Sequence, residues 1–600
     1  MIFNRQLLFS LLPFVSALPA SNDKLQSRAA TLDQFIASEN SVSYTNAFKN
    51  IGTAGGAKPG IIIASPSTSN PNYLYTWTRD SALTTHGLVE VATASQQPQV
   101  ISFVNDYITA QGILQQTSNP SGSFSDLSGL GEPKFNIDET AFTGAWGRPQ
   151  RDGPPLRARA LMKYVELFGS QISATQKTTI TNLIKNDLDY TVKYWSSQTF
   201  DLWEEVQGNS FFTDLASFHA LAIGSTYFKS LDATRSSTYL AESKKVRCYI
   251  ANSYWAAGTN KNAYSSNINN NNGRSGLDAN SIIAAQLYPT SPSAAYSSNP
   301  CSTDFFSPCS DRMLASTYAV VESFRGKYSV NSAREASGSK ALAIGRYAED
   351  VYYNGNPWYL TTLAPAEQMY RANSIWNQAG QINITSTSLP FFKSLVSTAT
   401  VGTYKKGDGN FEKVIAAVSA YADGFVSIVQ QYTPSTGALA EQYAKTDGTP
   451  LSARDLTWSY IAFLTTSHAR GLQSTATAPT GTPIYSAADL TCSSGSSGVP
   501  VNFKVTKQTA YGQNIYLAGS AAALGAWDLS KAVPLNANSY TASNPIWQTS
   551  AAVNLPASST FQYKYVLKGT DGSYTYENGN NRQYTTPASG STSLADTWQA

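Results

Sequence analysis

The residues best suited to chemistry lie in FDLWEEV, 200–206, where Asp201, Glu204 and Glu205 are crowded beside Phe200 and Trp203. Carboxylates among large apolar rings are costly to ionise, so their proton affinity should rise. A carboxylic acid that keeps its proton near its working pH is what acid-catalysed cleavage of a glycosidic bond requires. Such cleavage needs a second carboxylate. Glu441, in ALAEQYAKTDGTPLSARDLTWSY (438–460), qualifies only if the fold carries it opposite Glu204, because a lone Glu is normally a solvated surface group. In YLYTWTRDSAL, 73–83, Arg79 offers a rigid fork of donors and Asp80 accepts from hydroxyls, beside Tyr73, Tyr75 and Trp77. In GLGEPKFNIDETAFTGAWGRPQRDGP, 129–154, the Gly and Pro density argues against regular structure and exposes Trp146 as a platform for a sugar face.

These segments are loops between helices. Ile180, Leu183, Ile184, Leu188, Val192 and Trp195 recur at helical spacing, as do Phe411, Val414, Ile415, Val418 and Ala422, and Leu156–Phe168 reads alike. Long loops on a helical scaffold carry function more often than not. After residue 498 the period changes to two: Val501, Phe503 and Val505 alternate with polar residues, as do Phe561, Tyr563, Tyr565 and Leu567. Turn pairs such as Tyr511-Gly512, Asp571-Gly572 and Asn578-Gly579 separate the runs. The expectation is a multidomain chain, mostly helical over 30–470, followed by a small all-β antiparallel sandwich.

Composition narrows the partners. Charged residues are 14% of the 600, against 35 Tyr, 25 Phe and 11 Trp. The net charge of +3 drops to about +1 without Arg5, Asp23, Lys24 and Arg28, and there is no basic stripe, so nucleic acid is not an expected partner. Arg5 followed by the apolar run Leu7–Val15 and small residues near Ala17 and Ala20 reads as a secretory signal over 1–20, with 21–28 as a short propeptide. No later run is long and apolar enough to suggest a membrane span, so a secreted, extracellular protein is expected. An even count of four cysteines in a secreted chain suggests two disulfides with three pairings open. Cys301 and Cys309 are close enough to staple a local loop, which leaves Cys248 for Cys492. The Ser/Thr/Pro-rich stretch 473–491 would then run back along the helical domain, leaving 493–498 (SSGSSG) as the free linker between units at 29–492 and 499–600. Asn383 heads an N-glycosylation sequon. The scattered His and the absence of CxxC spacing offer no metal site, and no cofactor is expected.

The four loop segments, together with GRYAEDVYYNGNPWYL at 345–360, resemble those of fungal glucoamylases, glycoside hydrolase family 15, over residues 30 to 492. The resemblance implies an all-α (α/α)6 barrel with a funnel-shaped site at one end. It also implies exo-acting, inverting hydrolysis of terminal α-1,4 and, more slowly, α-1,6 glucosidic bonds of starch, amylose and malto-oligosaccharides by a monomer. Carried over by motif, Glu204 is the general acid and Glu441 the general base, with Asp201 a secondary candidate. Arg79, Asp80, Glu205 and Arg346 hold the terminal glucose, and Tyr73, Trp77, Trp146, Leu202, Trp203, Trp358 and Trp458 wall the pocket. YGQNIYLAGS (511–520), LGAWD (524–528), NPIW (544–547) and FQYKY (561–565) resemble a family 20 starch-binding module. That resemblance places Trp527, Lys564 and Tyr576 in one sugar site, and Tyr511, Tyr540 and Trp547 in a second. Tyr576 stands where the family usually has Trp. Other readings remain: a relative preferring α-1,6 linkages, and a catalytically silent starch-binding protein.

Overall fold

In the computed structural model the described residues are 20–256, 262–270, 272–289, 299–474, 483–486, 489, 492, 499–550, 552–556, 559–587 and 591–600. The expected signal peptide therefore lies, but for its last residue, outside them, as does the 493–498 linker. The chain divides into two compact units, 1–487 and 488–600.

The first unit is helical: α1 (Ala20–Lys49), α2 (Thr78–Val91), α3 (Gln97–Gln116), α4 (Gly153–Phe168), α5 (Ala174–Tyr194), α6 (Phe211–Phe228), α7 (Ala233–Ser253), α8 (Ala279–Ala285), α9 (Asp311–Ser323), α10 (Ser332–Ala336), α11 (Tyr359–Ala379), α12 (Leu389–Leu395), α13 (Gly409–Tyr432) and α14 (Thr457–Leu472). Six of these close a ring, in which α2 packs on α4, α4 on α6, α6 on α8, α8 on α11, α11 on α14, and α14 back on α2. Outer helices cover them: α1 lies on α14, α5 on α4, α7 on α6, α9 on α8 and α13 on α11. This is the expected (α/α)6 barrel.

Burial separates the two rings. Nearly every position of α6 and most of α11 are buried, so these helices are enclosed all round, and the polar groups they carry, such as Asp214, Glu367 and Arg371, are paired inside. α13 is long and apolar enough by composition to cross a membrane. It is instead amphipathic, with Phe411, Val414, Val418, Tyr421, Ala422, Phe425, Val426, Ile428 and Val429 buried and the remaining positions half-buried or exposed. Three outer helices begin with side-chain caps: Ser173 and Gln176 form a reciprocal capping box on α5, and Asp232 and Asp408 cap α7 and α13.

Because an outer helix returns the chain each time, the inner helices all start at one end. Short strands fringe that end: β1 (Thr76–Trp77) pairs with β2 (Lys134–Phe135), and β3 (Thr199–Phe200) with β4 (Gln207–Ser210), which also pairs with β5 (Asn267–Ile268). β6 (Gln381–Ile384) follows the C-terminus of α11 and pairs with β7 (Gly402–Lys405) at the other end, whereas β8 (Gln442–Tyr443), which pairs with β9 (Pro450–Leu451), fringes the same end as β1 to β5. The 129–154 segment is thus less irregular than its composition suggests, since β2 docks its Lys134-Phe135 on Trp77-Thr76.

Cys301 and Cys309 are bonded, with Cα atoms 5.1 Å apart. Cys248 and Cys492 are also disulfide-bonded, and no cysteine is free. The tail returns to the helices as expected: the Tyr485 ring stacks on Phe218 and its hydroxyl bonds Ser243 Oγ at 2.8 Å. Asn383 is exposed on β6, where its side chain accepts from the Thr403 hydroxyl.

The second unit holds β10 (Val499–Thr506), β11 (Asn514–Gly519), β12 (Val533–Asn536), β13 (Ile546–Thr549), β14 (Val553–Leu555), β15 (Thr560–Lys568), β16 (Tyr574–Tyr576), β17 (Arg582–Thr585) and β18 (Thr592–Thr597). Val501, Phe503, Val505, Ile515, Leu517, Phe561, Tyr563 and Tyr565 fill the space between its faces. Its ladders are antiparallel except that β10 and β18 run parallel, a departure from the all-antiparallel expectation. The last strand returns beside the first in the same direction, which a long connection permits and a hairpin would not.

Candidate active site

The loops that precede the inner helices build one cavity of about 660 Å³. Trp77, Arg79 and Asp80 lead into α2, Trp358 precedes α11, and Trp458 lies in the first turn of α14. Helix N-termini favour anionic groups, so carboxylates gathered at this end meet a supportive field. Tyr73, Trp146, Leu202, Trp203, Glu204, Glu205, Arg346 and Glu441 complete the wall expected from sequence. The fold thus brings Glu204 and Glu441, 237 positions apart in sequence, onto one cavity.

Glu204 sits in the left-handed region (φ 68°), at the turn between β3 and β4. Its Oε1 accepts from Trp77 Nε1 (2.6 Å), Gln150 Nε2 (3.1 Å) and Arg79 Nη2 (3.5 Å). All three donors reach the same oxygen, which leaves Oε2 as the atom able to carry a proton. Glu441, 1% exposed, accepts from the Ser452 hydroxyl and from Gln442 Nε2 at 3.0 Å. Burial pushes its carboxyl up to about 6, while bonds from Ser452, Tyr73 and Gln442 restrain the rise.

Asp80 is pushed up to about 6 by burial, against the opposing Arg79 charge; its Oδ2 is buried without a hydrogen bond and lies 3.4 Å from Arg79 Nε. Arg79 is fixed by Gln150 (2.7 Å) and Asp152 (3.1 Å). Glu205 behaves oppositely. Burial alone would raise it, but Arg346 Nη2 (2.8 Å), the Tyr347 hydroxyl (2.6 Å) and Arg274 Nη2 (2.7 Å) hold it below the usual carboxylate range. Arg346 is clamped in turn by Asp350 and lies over the rings of Trp203, Trp358 and Tyr352.

Asp201, the secondary candidate, lies apart from Glu204 and Glu441. It is fully buried and absent from the cavity wall. Its oxygens accept from the Glu205 and Val206 amides (3.0 and 3.1 Å) and from Asn267 Nδ2 (3.1 Å), and its carbonyl accepts from the Glu204 amide. A carboxylate so occupied braces the turn that aims Glu204 and Glu205.

Glycosyl hydrolases family 15 matches residues 37–468, and a starch binding domain matches 498–596. The chain belongs to glycosyl hydrolases family 15. A glucoamylase of Neurospora crassa is 43% identical over 95% of this chain and 94% of its own length; Glucoamylase-1 of Schizophyllum commune is 43% identical over 96% and 97%. The solved glucoamylase of Hypocrea jecorina superposes with a TM-score of 0.68 at 40% identity, covering 95% of this chain and all of that one.

Sequence reasoning about this family 15 hydrolase missed Lys134. Its ammonium lies 3.5 Å from the Trp146 centroid, 4.0 Å from Tyr75 and 4.3 Å from Phe142, and burial pulls its pKa down to about 8. Its place amid aromatics in GLGEPKFNIDETAF was the available signal. Tyr352, Tyr353 and Ser452 were missed too, although the first two lie in the 345–360 motif.

In the hydrolase's β module Tyr511 is fully exposed and Tyr576 is 39% exposed, as ligand-facing rings would be. Trp547 is instead a core residue, buried with Phe503 and Tyr565, and Tyr540 packs against it edge-on at 6.0 Å. Lys564, expected in the first sugar site, has its ammonium taken by the carbonyls of Glu577, Asn578 and Gly579 (2.7, 3.1 and 2.9 Å), so it fixes the turn after Tyr576. Trp527 packs on Ala518 and Val566 of the sheet.

Proposed function

We propose that this protein is a secreted glucan 1,4-α-glucosidase that removes β-D-glucose from the non-reducing ends of starch and malto-oligosaccharides with inversion. The observation that carries this reading is the pairing of Glu204 and Glu441 on one tryptophan- and arginine-lined cavity. Glu204, protonated on Oε2, gives its proton to the glycosidic oxygen. Glu441 takes a proton from the water that attacks the anomeric carbon from the other face. The bond to the leaving sugar breaks as the water oxygen bonds, and the configuration at that carbon inverts. Positive charge on the glucosyl ring is favoured by Asp80 and by Glu205, held anionic by its two arginines. Asp80, whose Oδ2 faces Arg79 while its side chain keeps some exposure on the cavity, can accept from a sugar hydroxyl. Trp203 meets Trp358 edge-on at 5.6 Å and stacks on Trp458 at 6.4 Å, and the three give the glucose an apolar wall.

The β module anchors the enzyme to starch, raising local substrate concentration without altering the chemistry. The motifs at 1–20 and Asn383 support export and glycosylation. Proton NMR of the first product from maltotriose tests the stereochemistry, and an initial α-anomer signal refutes inversion. Glu204→Gln and Glu441→Gln should each lower kcat by roughly 10²-fold or more; a mild effect of either removes that residue from its role. Relative rates on maltose and isomaltose test the α-1,4 preference.

A further inference from the structure

The β module carries an aromatic array on the outer face of β11, β15 and β16. Phe561, Tyr563 and Tyr565 of β15 face the core, so alternation turns Gln562, Lys564, Val566 and Lys568 outward. Register then sets Tyr516 of β11 and Tyr576 of β16 on either side of Val566. Asn514 and Tyr574 flank Lys568 in the next row. Tyr574 is 38% exposed. Its ring meets Tyr516 edge-on at 6.0 Å, and Lys568 Nζ lies 5.2 Å from the Tyr574 centroid and 5.8 Å from that of Tyr516. Trp527 and Tyr516 pack on the same Ala518–Val566 patch, so Trp527, Tyr516, Tyr576 and Tyr574 form one continuous surface.

We propose that Tyr574, Tyr516 and Lys568 form an additional glucose-binding subsite that extends the Trp527–Tyr576 surface along an α-1,4-glucan chain. The proposal rests on the starch-binding reading of that surface. The occupant follows from the chemistry of the face. No outward position of these three strands is acidic, and one ammonium, on Lys568, is available once Lys564 is engaged by three carbonyls. A single cation is too little charge to hold a polyanion, whose affinity needs many ion contacts. An array of rings with one donor suits a neutral polyhydroxyl with apolar faces. Tyrosine has few rotatable bonds, so a ring already steadied by Lys568 loses little freedom when a sugar stacks on it. The subsite also offsets the smaller stacking area of Tyr576.

The test uses the full-length chain carrying Glu204→Gln to stop turnover, measuring adsorption to granular starch and titration with β-cyclodextrin. Tyr574→Thr, which keeps a strand-favouring residue, should weaken adsorption roughly three- to tenfold. Lys568→Met should weaken it less, and Tyr574→Trp should strengthen it. Tyr576→Ala is the control for the underlying site. If it weakens adsorption while Tyr574→Thr and Tyr574→Trp do nothing, the added subsite is refuted and the underlying Trp527–Tyr576 reading stands. If neither position matters, the underlying reading fails as well. Self-association lost in Tyr574→Thr, with starch affinity unchanged, would also overturn the proposal.

Discussion

Removing the Ser452 hydroxyl is the sharpest probe of the proposed base. Ser452 has φ 65°, where glycine is unstrained, so Ser452→Gly deletes one donor to Glu441 without disturbing the backbone. A hydrogen bond to a charged group is worth about 1.5–3 kcal/mol, and one pKa step corresponds to about 1.4 kcal/mol. Glu441 is nearly sealed from solvent, so water replaces the lost donor poorly, and its pKa should climb from about 6 by roughly one to two steps. A base works deprotonated, so activity falls as pH drops through this value. The acid limb of the kcat/KM profile should therefore move upward. At pH 5 the variant should lose roughly 10- to 100-fold, and near pH 8 much less. The assay is initial glucose release from maltotriose across pH 4–9 at fixed ionic strength. A loss equal at every pH would show that Ser452 only positions Glu441, and a limb displaced to lower pH would refute the electrostatic reasoning outright.

Other outcomes follow from the same geometry. Arg274→Ala removes one of the three groups donating to Glu205 and should raise KM for maltose by roughly three- to tenfold, with partial recovery in Arg274→Lys. Asp201→Ala strips the acceptors from two amides and an Asn side chain; it should cost about 2–4 kcal/mol and lower kcat without moving the pH limbs, as calorimetry and a pH profile would show. Asp214, bonded by the Tyr254 hydroxyl at 2.6 Å, is pushed by burial up to about 7. Its folded pKa exceeds the unfolded value, so the fold loses stability as pH rises from about 4 to 7, where the unfolded chain's carboxyl ionises while the buried one keeps its proton. Asp214→Asn imitates the protonated form, so thermal scans should show a higher unfolding midpoint at pH 7 and little change at pH 4.

Much of this was legible in the chain. Apolar spacing in 180–195 and 411–422 gave α5 and α13 because a helix covered on one face must repeat every three to four residues. The switch to alternation after 498 marked the β unit for the analogous reason. The motifs around Arg79, Glu204, Arg346 and Glu441 named the wall of the cavity. Spacing could not rank three acids in one heptapeptide. All three lie beside Phe200 or Trp203, yet Asp201 turns inward to bind amides while Glu204 and Glu205 turn to the cavity. Nor could it reveal that Lys134 would settle among rings from separate segments, or that Lys564 would be engaged by a turn and Trp547 by the core. Sequence alone determined which residue types and which elements exist, because those depend on local periodicity and chemistry. Tertiary structure decided which carboxylate faces substrate and how tightly each holds its proton. Those properties come from burial and from donors hundreds of positions away, which exist only once the ring of helices has closed.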